Sequence, residues 1–396
     1  MNTARTATPS TARAINDRLA LGLLLERGSL TATQLRTLTG LSRPTVADLL
    51  ERLGHAGLVT VVGEAGEARR GPNARLYGLV AGRAHIAGVD VRTVGVGIAV
   101  ADLTGATRAT AELPVTPGTT PDGIVDDTVR ALTDAARRAG AAQGLHAIMV
   151  GAPGLVDPAT GELSDLGGLP RWHADLVRAL RERLGVPVLL ENEVNLAGIA
   201  EQRLGSARDR DTFVLLWLGH GVGAAVVLDG KLRRGASGGT GEIGFLPVPG
   251  TAGLPSATVC DGGFHSLAAS AAVCALARVH GLPAPDADDA PAAEAAVRAA
   301  LAAGPAGEPF LDALAERVAV GAATLCVVLD PGCVVLGGEV GRAGGTDLAD
   351  RVAARLADLS PLRTLVRPGT VPGSAVLGGA VLTALDAVHH DLFGTP

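Results

Sequence analysis

Two stretches of this chain, about 125 residues apart, share one design. Ile86-Ala87-Gly88-Val89-Asp90 leads into residues 94–100 and then Ala101-Asp102-Leu103-Thr104-Gly105, which reads as an apolar strand, a turn and another strand. Residues 213–218, the glycine turn Gly219-His220-Gly221-Val222-Gly223, residues 224–228 and the hairpin turn Asp229-Gly230 repeat it. Helical segments and further buried strands follow each unit, among them 147–150, 188–190 and 334–336. A duplicated unit of this kind predicts an α/β body of two lobes that face each other across a cleft, where small ligands bind.

The body does not account for the whole chain. At 396 residues the length corresponds to two or three domains. A hydrophobic content of 47% against 19% charged residues excludes wholesale disorder. The longest apolar run, 213–228, is broken by His220 and several glycines, so no membrane span is expected. The first residues lack an apolar signal core, and a cytoplasmic protein is expected. Cys260, Cys274, Cys326 and Cys333 form no CxxC pair, which argues against a disulfide scaffold and against a ribbon-type zinc site. Charge divides the chain: residues 1–83 hold eleven arginines and six carboxylates, a formal +5, which leaves −11 on the rest of a chain whose total is −6. A basic head on an acidic body suits a small module that meets a polyanion and a larger one that does not, although a solvated basic face has the same composition.

The head has the pattern of a helix-turn-helix with a wing. Ile15, Leu19 and Leu23 recur every fourth residue across 12–27 and mark one amphipathic helix that ends at Gly28. Thr31 with Gln34 forms a capping box for a second helix, in which Leu35 and Leu38 face inward and which Gly40 stops. Ser42 caps a third, Pro44 lies in its first turn, and Val46, Leu49, Leu50 and Leu53 form its buried stripe. The short Thr39-Gly40-Leu41-Ser42 connection is that of a helix-turn-helix, whose second helix enters the major groove. Ser42, Arg43 and Thr45 then reach phosphates and base edges, with Arg43 suited to a bidentate contact with guanine. Residues 58–62 and 76–80 read as two strands around a 63–75 loop holding Arg69, Arg70 and Arg75, a wing for phosphates or a narrow minor groove. The competing reading is a three-helix protein-interaction module.

Several motifs of the body, taken in order, carry a resemblance. Gly151-Ala152-Pro153-Gly154-Leu155-Val156-Asp157, Glu191-Asn192-Glu193-Val194-Asn195-Leu196-Ala197, Gly219-His220-Gly221-Val222-Gly223, Gly241-Glu242-Ile243-Gly244 and Leu336-Gly337-Gly338 resemble those of the ROK family of repressors, uncharacterised frames and sugar kinases. The resemblance covers residues 84 to about 385 and, for the repressor branch, the head as well. It implies a winged helix-turn-helix over 1–83, then an actin and hexokinase-like (ribonuclease H-like) α/β domain over 84–396 with its cleft near 190–245, assembled as a homodimer or homotetramer.

Set against the family pattern, the chain departs where the kinases do chemistry. Family kinases cradle phosphate with Asp-x-Gly-Gly-Thr, and here Asp90-Val91-Arg92-Thr93-Val94 lacks both glycines, so side chains restrict the close backbone approach a cradle needs. The family's catalytic aspartate of an Asn-Asp pair corresponds to Glu193 after Asn192, one methylene longer. A base misplaced by an ångström costs about 100-fold in rate. The resemblance also implies a zinc site, but its histidine position is Phe245 and only Cys260 remains of its cysteines, with His265 nearby; no metal is expected, and Phe245 and Phe264 are expected to fill the space. Of the sugar contacts, Asn192, Glu193 and Glu242 remain, with Asp165 near a substrate-contacting position, while Phe245 and Ala268 replace two others.

These observations lead to a transcriptional regulator, expected to be a repressor of carbohydrate-related genes, with a degenerate sugar-kinase body and no catalytic residue or cofactor. Its partners would be double-stranded operator DNA and a small sugar or sugar phosphate. Two alternatives stay open: an ATP-dependent sugar kinase carrying a DNA-binding head, and a DNA-binding protein whose body only dimerises.

Overall fold

The computed structural model of the chain describes residues 9–65, 74–116, 118–163, 170–283 and 287–393. The head comprises α1 (Pro9–Arg27), β1 (Leu30–Thr31), α2 (Ala32–Thr39), α3 (Arg43–His55), β2 (Val59–Ala65) and β3 (Ala74–Leu79), with the strands ordered β1-β3-β2. Thr31 Oγ1 accepts from Gln34 N at 3.2 Å while Thr31 N donates to Gln34 Oε1 at 2.8 Å, so the expected capping box starts α2. Gly40, at φ 71°, ends it in the left-handed conformation that a side chain resists. Val46, Leu49, Leu50 and Leu53 bury the inner face of α3, and Arg52 ties that helix to Asp17 on α1 at 2.5 Å.

Three details of the head differ from the sequence reading. Ile15 and Leu19 are 53% and 44% exposed, and α1 instead buries Ala20, Leu21 and Leu24. A strict four-residue repeat drifts around a helix of 3.6 residues per turn, and α1 starts earlier than expected, so its first half projects past the core. Leu38 is 37% exposed, leaving Leu35 as the buried leucine of α2. The wing strands run further than expected, which puts Arg75 on β3 opposite Glu64 and not in the turn. Arg69 and Arg70 lie outside the described residues.

The body then builds the same five-stranded sheet twice. The first lobe has β4 (His85–Arg92), β5 (Gly95–Asp102), β6 (Thr107–Pro114), α4 (Pro121–Arg138), β7 (Ala147–Ala152), α5 (Trp172–Leu184), β8 (Val188–Asn192) and α6 (Glu193–Arg203). The second has β9 (Phe213–Leu218), β10 (Val222–Leu228), β11 (Lys231–Arg233), α7 (His265–Ala268), α8 (Ser270–Val279), α9 (Ala290–Ala302), α10 (Glu308–Leu329), β12 (Cys333–Gly337), α11 (Gly338–Leu359) and β13 (Leu365–Pro368), and α12 (Ala375–Phe393) closes the chain. The orders β6-β5-β4-β7-β8 and β11-β10-β9-β12-β13 are the same topology. In each, an antiparallel meander of three strands is extended by two parallel ones. The Asp229-Gly230 turn has positive φ at both residues, as a tight hairpin of this hand requires.

The last helix does not stay with the second lobe. It returns to the first, packing on β4, β7 and α6. At Gly379 it approaches α6 so closely that a Cβ would lie 1.9 Å from the Leu196 carbonyl oxygen. One apolar layer runs through this crossing: Ile86 and Met149 from the first sheet, Leu196 and Ala197 from α6, Leu215 and Val335 from the second sheet, and Ala380, Leu385, Val388 and Phe393 from α12. Ala20, Leu21 and Leu24 of the head belong to the same buried cluster, and α1 packs against α12.

Candidate functional site

The two lobes enclose a cleft of about 780 Å³. Four of its acidic groups, from four chain segments, are each delivered by a backbone feature the sequence dictates. Asp90 stands near the end of β4, the one polar residue between Ile86 and Val91. Asn192 caps α6, its Oδ1 accepting from Val194 N at 2.8 Å and Asn195 N at 3.2 Å, and this sets Glu193 in the first turn. Glu242 follows Gly241, whose φ of 91° and position against the Ala224 carbonyl leave no room for a Cβ. Glu339 is the second residue of α11, directly after Gly338, another left-handed glycine, seated on the Leu218 carbonyl.

Burial governs the charge states here. Asp90 is 2% exposed, and desolvation pushes its carboxyl up to about 6 against the opposing pull of Arg92, 3.5 Å away, and of the Ser374 hydroxyl, which donates to Oδ2 at 3.1 Å. Glu193 is pushed up to about 8, chiefly by burial and further by Asp90, Glu242 and Glu339. Glu339 and Glu242 are also raised by desolvation; Glu242 reaches solvent in the cleft mouth but is ringed by protein. Asp90 Oδ1, Glu193 Oε2 and Glu339 Oε2 are buried atoms without a hydrogen-bond partner among the described residues.

Asn192, Glu193 and Glu242 therefore come together in one cavity, whereas Asp165 lies outside the described residues. The Asn192 side chain is largely committed to the fold, since Nδ2 also donates to the Gly154 carbonyl at 3.0 Å. Phe245 and Cys260 line the cleft; Phe264 is fully buried against Gly321 in the second-lobe core. Among the described residues no group of three or more His, Cys, Asp or Glu is arranged to hold a metal ion. Sequence reasoning missed Glu339, Ser374, Trp217 and Arg342 in the wall. A glutamate straight after an apolar strand and a glycine pair was the available signal for the first. Trp217 and Glu339 crowd the glycine turn: a Cβ on Gly219 would lie 2.7 Å from the indole Nε1 and 2.6 Å from the carboxylate Oε2.

The head offers a second surface. Ser42 Oγ accepts from Thr45 N at 3.3 Å and lies 2.8 Å from Thr45 Oγ1, so both hydroxyls sit at the start of α3 as a cap. Arg43 and Arg75 are exposed.

A two-lobed body with a duplicated sheet, a central cleft and a winged helix-turn-helix ahead of it defines a sugar-kinase-like fold carrying an N-terminal winged helix-turn-helix. Residues 86–384 match the model of the ROK family, and the chain belongs to that family. It is 25% identical over 235 residues to a protein named putative xylose repressor from Caldicellulosiruptor sp. (strain Rt8B.4), a match covering 59% of each chain. A crystal structure of a ROK family transcriptional regulator, homologue of the E. coli MLC protein, superposes with a TM-score of 0.72 at 20% identity, covering 96% of this chain and 98% of that one, a likeness of fold that includes the head. A ROK family glucokinase from Streptomyces griseus, solved with glucose and AMPPNP, gives 0.63 at 25% identity over 76% of this chain and 99% of its own. Among the described residues no helix is long and apolar enough to cross a membrane.

Proposed function

We propose that this chain is a transcriptional repressor that binds operator DNA through its head and senses a carbohydrate in its cleft. The observation that carries the reading is the path of α12. Ser374 and Val376, at its start, line the cleft. Its 19 residues span about 28 Å. Its last turns lie beside the joint to the head, where His389 Nε2 is 3.0 Å from the Leu103 carbonyl and Leu103 N donates to Ala81 O. A ligand that binds two arrangements of the cleft unequally thereby has a rigid element through which to bias the head.

In this reading residues 1–83 form the DNA-binding unit and 84–396 the sensing unit. Ser42, Arg43 and Thr45 enter the major groove, Arg69, Arg70 and Arg75 hold the backbone, and two heads of a homodimer or homotetramer read a pseudo-palindromic operator. Asp165, Asn192, Glu193 and Glu242 contact the sugar. The body binds and does no chemistry: Arg92 and Thr93 stand where kinases have glycines, and the Gly219 turn is crowded by Trp217 and Glu339.

Mapping the protein's sites on its own genome, with and without candidate sugars, tests this. Discrete promoter sites that empty with one sugar support it. ATP-dependent phosphorylation of a hexose at an ordinary enzymatic rate, with no discrete sites, favours the kinase alternative.

A further inference from the structure

Three carboxylate oxygens in the cleft lack a donor among the described residues: Asp90 Oδ1, Glu193 Oε2 and Glu339 Oε2. They belong to segments far apart in sequence, the end of β4 and the starts of α6 and α11, so local turn geometry does not explain their meeting. Burying a carboxylate oxygen without a partner is costly, and doing so three times in one cavity is costlier still. The cations nearby do not satisfy these oxygens, and the Arg92 Nε is itself buried without a hydrogen-bond partner among the described residues. Arg92 lies between Asp90 and Glu112, at 3.5 and 3.7 Å, and Arg342 donates to the Gly373 carbonyl at 2.8 Å. Glu201, also in the wall, is satisfied by the backbone N–H groups of Ser206, Thr370 and Val371. No metal-type cluster exists among the described residues, so a directly coordinated ion does not answer the demand.

We infer that the Asp90–Glu193–Glu339 corner seats a protonated amine, and that the ligand class of this cleft is an unphosphorylated amino sugar with a free ammonium group. The inference rests on the sensing role proposed above and narrows it. An ammonium supplies three donors and a positive charge where the cleft has unmet acceptors, and its charge favours release of the proton that burial otherwise keeps on Glu193. Sugar hydroxyls then meet Glu242 and the remaining Asn192 Nδ2 hydrogen. A phosphoryl group brings more negative charge to the same corner and is rejected. The raised carboxyls agree with this: burial outweighs what Arg92 gives Asp90 and what Arg342 and Arg92 give Glu339, so further positive charge is favourable there.

The test is calorimetry on the full chain, at a pH where sugar amines are protonated, with matched sets in the gluco, manno and galacto series: hexosamine, N-acetylhexosamine, parent hexose and hexosamine 6-phosphate. In one series the free amine should bind at least tenfold tighter than its three counterparts, and Glu339→Gln should remove most of that advantage in a variant whose thermal unfolding shows it still folded. Equal or weaker binding of the amine in every series overturns the proposal, as does heat from magnesium chloride alone that Glu339→Gln abolishes. If a neutral or phosphorylated sugar releases operator DNA and no amine does, the sensing role stands and this inference fails; if no sugar affects a specific operator complex, the sensing role itself fails.

Discussion

Ser374 Oγ donates to Asp90 Oδ2 at 3.1 Å, across 284 positions of sequence. The same hydroxyl accepts from Leu377 N at 3.2 Å, so it starts α12 while holding the buried aspartate of β4. The bond joins the floor of the cleft to the helix that reaches the head. Ser374→Ala removes a helix-starting acceptor and the donor to Asp90 together. We expect a loss of about 1–2 kcal/mol in stability, read by urea denaturation. We also expect a smaller sugar-induced change in operator affinity than in the parent chain, read on the same variant.

Two neighbouring glycines of α12 should respond in opposite directions. A Cβ at Gly379 collides with the Leu196 backbone, which has no side-chain freedom to yield, so Gly379→Ala should cost about 1–3 kcal/mol. At Gly378 the nearest atom is 3.7 Å away, ordinary contact, and Gly378→Ala should stabilise by about 0.5–1 kcal/mol through helix propensity. Thermal or denaturant melts of the pair decide whether the α6–α12 crossing is as tight as described.

Glu193 gives a pH signature. Its carboxyl is raised from 4.5 to about 8, so the folded chain holds this proton more tightly than the unfolded chain. Stability contributed at low pH is therefore lost as pH climbs from 4.5 towards 8, by at most about 1.4 kcal/mol per pH unit. Glu193→Gln lacks that slope. Its stability relative to the parent chain should rise across the window and level off above about 8; a constant difference would place Glu193 in contact with bulk water.

The two kinds of arginine on the head should separate by salt and sequence. Arg43→Ala is expected to weaken a specific operator complex by about 1–3 kcal/mol and relax specificity at one base pair. Arg75→Ala should weaken binding to all sequences and lower the salt slope by about 1. Anisotropy titrations at several salt concentrations distinguish these outcomes.

The duplicated sheet could be read from sequence because its central strands are buried on both faces and print as largely apolar runs, 86–91 interrupted by Gly88 and Asp90 and 213–218 unbroken. Its third strands could not. β6 is a half-exposed edge with alternating burial, and β11 has three residues, too few to carry a period. The caps of α2 and α3 were legible since capping depends on residues three apart, whereas the buried side of α1 was not, because the body covers part of it. The cleft divides the same way. Glu193 and Glu242 stand in recognisable motifs, but Asp90 meets Ser374 and Glu339 only through the return of α12 and the packing of the second lobe, pairings that no local pattern encodes.

The most direct measurement is anisotropy of labelled promoter DNA against the purified full chain at fixed salt, titrated with the sugar panel and followed for ATP consumption. A sensing repressor binds one promoter site on the order of a thousandfold or more tighter than random DNA, releases it when one sugar is added, and consumes no ATP. Binding that is indifferent to sequence, together with sugar-dependent ATP turnover, contradicts the assignment.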